Sequence, residues 1–463
     1  MFVPRRLLLG FAALFVAASG LTRPAAAADA PEAVKMVVDL LMRDDADFRA
    51  IGLDRVRHGV KGEAATREFA ALVSKLPPAR QAELVSALAE RGDAAAVPAI
   101  TALLLASQDP ATRAAAVRAL GTLGGGMEAA IIKKSLAAAD PEKSAARRAL
   151  ATLRGADVGK QLVEAAKFGE PALRPTFIEL LAERRDREAV PEMVVVAEGT
   201  DAGASLAALR AIGRLGGPAE VESLVKILLK SPAGEQRAEA ERTVVAICTA
   251  NAGSEQAAEK FLALFKAAGD ADRETLLPAL GRVGGPGALA IVDGLIADAD
   301  PAKRKFGLVA LSRWPDATVS SRLLDLLAKS QDPAERDLLL GALIRIAPLP
   351  DNKLNDGQKL QLLQKAMTLS QKVEDRARVL ERANAIRTVE TFRFVLPYLD
   401  DPQLAEPACR SIVELAHHQK LRDANKSEFV AALDKVIRTT KNTELVERAN
   451  RYKEGKTWER KKG

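Results

Sequence analysis

The chain has 463 residues, 48% apolar and 28% charged, the balance of a folded protein with a large core rather than of a disordered or collagenous one. Aromatics make up only 4%, with three His, two Cys and two Trp, which leaves little material for metal clusters, haem ligation, disulfide frameworks or aromatic nucleic-acid platforms. The net charge of +7 sits at the termini: Arg5, Arg6 and Arg23 at the start, and eight Lys/Arg against four Glu between Lys441 and Gly463, so that residues 29–440 are neutral and lack the excess a general nucleic-acid binder needs.

In chain order, residues 1–28 read as a signal peptide. Arg5-Arg6 forms a basic start, Leu7 to Leu21 an apolar stretch, and Ala25-Ala26-Ala27-Ala28 a cleavage site, so the mature chain is expected to begin at Asp29, in the periplasm or secreted. The apolar run is shorter than the roughly 20 residues a spanning helix needs, and no Cys follows it to take a lipid. Arg5-Arg6 leaves both general and twin-arginine export open.

A phrase then returns about every 31 residues. The clearest copies are AAVPAITALLLASQDPATRAAAVRALGTLGG (95–125), REAVPEMVVVAEGTDAGASLAALRAIGRLGG (187–217) and PGALAIVDGLIADADPAKRKFGLVALSRWPD (286–316). About thirteen units fit between Pro31 and Gly455. Each predicts two helices: Val97, Ile100 and Leu104 share one helical face, and Ala116, Leu120 and Leu123 another, one apolar stripe per helix. Asp109 before Pro110 predicts an N-cap followed by Pro at N1. Gly124-Gly125 is expected to end the second helix at positive φ. Small residues at facing positions predict close helix packing.

DPATRAAAVRALGTLGG followed by a short apolar helix resembles the HEAT-like repeat, in the short bacterial form also found in phycobilin lyases. The resemblance covers nearly all of the expected mature chain. It implies an all-α fold, an α-solenoid of about thirteen stacked helical hairpins, acting as a scaffold or peptide-binding surface. It also implies that the Asp and following Arg at 109/113, 300/304 and 332/336 form an inter-repeat polar ladder, which is structural.

Further along, an insertion at 249–254 lengthens one unit, and Pro348-Leu349-Pro350-Asp351-Asn352 opens a loop rich in helix breakers. The expected domains are residues 29–347, a C-terminal lobe at 354–455 carrying Phe392, Phe394 and Tyr398, and a basic tail at 456–463 that is mobile or used for docking. Cys248 and Cys409 stand 161 residues apart in apolar helical settings and are expected to be free, buried thiols.

Catalytic options find few residues. The His-Glu pairs of the HEAT-like deoxyhypusine hydroxylases are missing, since His58 precedes Gly59 and His418 precedes Gln419. His417 and His418 are neighbours that point about 100° apart on a helix and cannot chelate one ion. Trp314 aligns with Leu123, Leu215 and Val283, a core position. No haem-attachment, P-loop or nucleophile-elbow motif occurs, and no cofactor or metal is expected.

One pattern has two readings. Arg214, Arg282, Arg313 and Arg345 share a repeat position. They form either a basic stripe that grips acidic peptides or polyanions through bidentate guanidinium contacts, or cations that complement helix C-termini and pair with nearby carboxylates. The functional expectation is a non-catalytic protein-binding scaffold of the bacterial envelope, its partner a protein. The alternatives are an accessory subunit of an envelope redox or hydrolytic enzyme, and polyanion binding through the stripe and tail.

Overall fold

The computed structural model describes residues 30–250, 253–350 and 354–458; the segment read as a signal peptide and residues 459–463 of the tail lie outside them. Among the described residues there are twenty-seven α-helices and no strand. In chain order they fall into thirteen pairs, with Gln419–Ala424 as an extra short helix before the last pair. This is the all-α solenoid that the repeat predicts. The chain divides into two compact units between Glu164 and Ala165, within the Val158–Phe168 helix.

In the first unit the second helices of successive pairs lie side by side: Pro78–Arg91 against Pro110–Leu123, and that against Glu142–Thr152. The second unit continues the same rule through Arg174–Glu183, Ala202–Leu215, Glu235–Thr249, Asp270–Val283, Pro301–Ser312, Pro333–Ile346, Val373–Ala383 and Ala405–His417. Residues 354–455, set off by composition, belong to this unit. Packing runs on between the helices on either side of residues 348–353: Lys372 pairs with Asp337, and Arg382 donates to the Arg345 carbonyl at 3.1 Å.

The two helices of a pair are buried to different extents. Val97–Ala106 keeps one apolar stripe of Ile100, Leu103 and Leu104, whereas Pro110–Leu123 buries Thr112, Ala114, Ala115, Ala116, Val117, Ala119 and Leu120, more than a stripe. A second helix meets its own first helix and the second helices on both sides, so three directions must be apolar or small. At Gly121 a Cβ would lie 2.6 Å from the Ala149 Cβ, which is why the phrase places glycine where second helices touch. Buried hydroxyls join them too: Thr112 donates to the Pro78 carbonyl at 3.1 Å and Thr243 to that of Leu209 at 3.0 Å.

Helix starts follow the sequence. Asp109, Asp201, Asp300 and Asp332 each accept a backbone N–H one or two residues inside the second helix, the first at 2.7 Å from Thr112, and Pro occupies the first turn at 110, 301 and 333. Helix ends correct it. Gly124 and Gly216 are extended, at φ −79° and −69°, not left-handed. Their constraint is spatial: a Cβ would stand 2.6 Å and 2.8 Å from the Leu120 and Ile212 carbonyl oxygens. Only the third Gly-Gly copy adopts positive φ, with Gly284 at +67°.

Candidate functional site

Arginine on this repeat occupies two edges. At the turn inside a hairpin, Arg113 donates to the Leu104 carbonyl at 2.6 Å, in the last turn of the first helix, and grips both carboxylate oxygens of Glu142 of the next hairpin at 2.7 Å. Arg304 repeats this with the Ile296 carbonyl at 3.0 Å and Glu335 at 2.7 Å. Arg336 holds the Leu327 carbonyl at 2.6 Å, while the residue after it, Asp337, pairs with Lys372. The free carbonyls of a helix C-terminus and a carboxylate one repeat on are thus satisfied by one guanidinium. Glu142 is buried, and the hydrogen bond from Arg113 holds its carboxyl below the usual range against the opposing effect of burial. The ladder expected at 109/113, 300/304 and 332/336 takes a different form: Arg113 and Arg304 reach the next hairpin through Glu142 and Glu335, while Asp109, Asp300 and Asp332 cap their own helices and Arg336 bonds within its own hairpin.

At the opposite edge, where one hairpin passes to the next, lie the four arginines singled out by alignment. The structure does not treat them alike. Arg214 is exposed and makes no ion pair among the described residues. Arg282 turns to Glu241 of the preceding hairpin at 3.1 Å and is neutralised there. Arg313 is the exposed residue that ends Pro301–Ser312. Arg345 is half-buried and donates to the carbonyls of Ser312 at 2.9 Å and Trp314 at 2.6 Å. A fifth member of this row was not visible in the alignment: Arg382 donates to the Arg345 carbonyl. The A-L-G phrase that would have flagged it has degraded there to VLERANAI, and the loop at 348–352 shifts the spacing.

Hydrogen bonds therefore link the backbone at 312–314, Arg345 and Arg382 in series across three hairpins. Burial, then the charges of Arg382 and Arg313, push the Arg345 guanidinium below its ordinary value, and no carboxylate among the described residues opposes them. In the first unit the matching residue, Arg91, donates to the Val56 carbonyl at 2.8 Å, with Asp93 supplying the opposite charge.

The other singled-out residues are structural. Trp314 is buried, its indole N–H donating to Thr318 at 3.2 Å. Cys248 and Cys409 are free and buried, and burial pushes their thiols up to about 12 and about 11, so neither is a nucleophile at neutral pH. His417 Nδ1 lies 2.9 Å from the Tyr452 hydroxyl, with its ring centroid 5.7 Å from that of His418. Phe392 stacks on Phe429 with centroids 4.1 Å apart. Among the described residues, no group of three His, Cys, Asp or Glu is placed to hold a metal, and no helix is long and apolar enough to cross a membrane.

Comparison with known families fits this geometry. The family model described as HEAT repeats matches residues 69–151 and 159–245. Residues 69–151 and 159–245 carry HEAT repeats. Outside those two stretches, helical hairpins continue, and Arg304 and Arg336 hold carbonyls at the end of a first helix as Arg113 does. No curated protein matches the sequence. Among solved structures, the karyopherin Kap121p bound to the SUMO protease Ulp1p is similar at 14% identity and TM-score 0.45, over 91% of this chain and 53% of that one. Kap121p bound to Nup53p matches at 14% and 0.44, over 92% and 53%. Kap95p with RanGDP matches at 11% and 0.44, over 92% and 65%. The chain spans about half the length of the Kap121p chains it matches.

Proposed function

We propose that this HEAT-repeat protein is a non-catalytic protein-binding scaffold of the bacterial envelope. The observation that carries the reading is how its polar side chains are used. Buried hydroxyls hold backbone carbonyls, the Asp residues cap helices, and the ladder arginines join one hairpin to the next. Second helices are enclosed by packing, so the surface left for partners is the first helices and the two edges, repeated hairpin by hairpin. Such a surface binds through many modest contacts spread over its length. Large apolar side chains exposed on first helices, Leu105, Met127 and Val195 among them, provide anchors for such contacts.

Export is supported by the basic, apolar and Ala-rich order of residues 1–28. Two measurements test the proposal. Cell fractionation followed by N-terminal sequencing should find the protein in the envelope beginning at Asp29; a cytosolic chain beginning at Met1 overturns the location. Capture from envelope extract with a C-terminally tagged full chain should yield a protein that, once purified, binds the chain in a calorimetric titration. Failure of every captured protein to bind directly overturns the scaffold reading.

A further inference from the structure

We propose that Arg313, Arg345 and Arg382 form a docking edge for an extended acidic segment of a partner protein, one carboxylate to each hairpin. The proposal rests on the protein-binding reading and deepens it by naming the site and the chemistry of what it takes. Its geometric basis is the hydrogen-bonded series just described. Arg345 is anchored on the carbonyls that flank Arg313, and Arg382 on the carbonyl of Arg345, so three cationic residues are held side by side by backbone. None of the three has an ion pair among the described residues, although elsewhere the same fold supplies one: Glu142 to Arg113, Glu335 to Arg304, Glu241 to Arg282. Arg313 is exposed and Arg345 is half-buried, so the row combines an accessible guanidinium with a pre-positioned one.

Spacing favours a peptide over a nucleic acid. Packed helices lie about 8–10 Å apart, and an extended chain advances about 3.3–3.6 Å per residue. Carboxylates three residues apart therefore advance by about one hairpin. A nucleic acid is disfavoured because the charge outside the termini is balanced, leaving a narrow cationic row rather than a broad basic face.

The test is fluorescence anisotropy of the full chain with two labelled synthetic peptides of about 12 residues, a length that spans three to four hairpins. One carries Glu at every third position between Gly and Ser, and its isomer carries the same Glu residues in one block. The spaced peptide should bind about fivefold more tightly than its isomer, and Arg313→Glu should weaken it about tenfold. Arg214→Glu, exposed and outside the row, should leave it unchanged. An unaltered circular dichroism spectrum and urea midpoint for Arg313→Glu separate loss of the site from loss of fold. Equal binding by parent and R313E, or equal binding of the two isomers, overturns the proposal. So does a single-stranded oligonucleotide of matching length that binds more tightly than the spaced peptide. A captured partner that R313E still binds at parental affinity overturns the docking edge while the scaffold reading stands; absence of any direct protein partner overturns the scaffold itself.

Discussion

Arg304 and Arg345 belong to neighbouring second helices of the same unit and do the same first task, donating to carbonyls left open at a helix end, yet their surroundings differ. At the turn edge, Arg304 also meets Glu335 at 2.7 Å, and its charge is balanced within the fold. At the edge between hairpins, Arg345 meets two carbonyls and two further arginines and, among the described residues, no carboxylate. Stacking alone explains the first arrangement. A row of like charges held together by backbone costs stability, and the contrast teaches that the two edges carry different constraints, one closed upon itself and one left electrostatically open.

The comparison can be broken most severely at Trp314, whose carbonyl Arg345 holds and whose ring fills the core beneath it. Trp314→Ala should cost about 3–5 kcal/mol, read as a fall in the urea midpoint together with faster amide exchange in Pro301–Ser312 and Ser320–Lys329. Solenoids unfold in parts, so the exchange map locates the damage where a single midpoint does not. If the exchange is unchanged, this edge is not held from within.

Arg345→Met should cost about 2–3 kcal/mol by leaving the Ser312 and Trp314 carbonyls unpaired, despite relieving repulsion with its neighbours. A gain in stability would show that repulsion outweighs capping. On the closed edge, Glu142→Gln should cost about 2 kcal/mol near neutral pH and flatten the acid limb of stability. The Glu142 carboxyl in the folded chain lies below its unfolded value of 4.5. Its contribution is therefore complete above about pH 5 and is lost as pH falls through the folded value, because the unfolded chain binds the proton first. Urea midpoints of parent and variant measured across that range should converge on acidification; parallel curves would remove the ion pair from the account. The smallest effect is expected for Arg313→Glu, within about 0.5 kcal/mol, since its side chain is exposed and makes no hydrogen bond or ion pair among the described residues; a large loss would place it in the fold rather than at its surface.

Much of this was legible in the repeated phrase. Asp109, Asp300 and Asp332 before proline marked the starts of second helices, and the following Arg113, Arg304 and Arg336 marked the turn edge, because capping is local and repeats with the chain. The glycine pair misled for a physical reason: Gly124 is required by the Leu120 carbonyl beside it rather than by a left-handed turn, and crowding cannot be read from residue type. The apolar pattern likewise showed one stripe where Pro110–Leu123 buries most of its surface, since Ala and Gly at interhelical contacts score as weakly apolar yet are selected for size.

The sequence by itself determined the helical hairpin, its period, the number of pairs, the caps at Asp109, Asp300 and Asp332 and the buried, unpaired state of Cys248 and Cys409, all of which depend on periodicity and on local hydrogen bonding. Only the tertiary structure decided which arginines of the aligned set stand together. It removed Arg282 to Glu241, placed Arg345 on the backbone at 312–314 and brought in Arg382, because charge balance depends on neighbours from adjacent hairpins 31 to 41 residues away along the chain, where no short sequence window reaches.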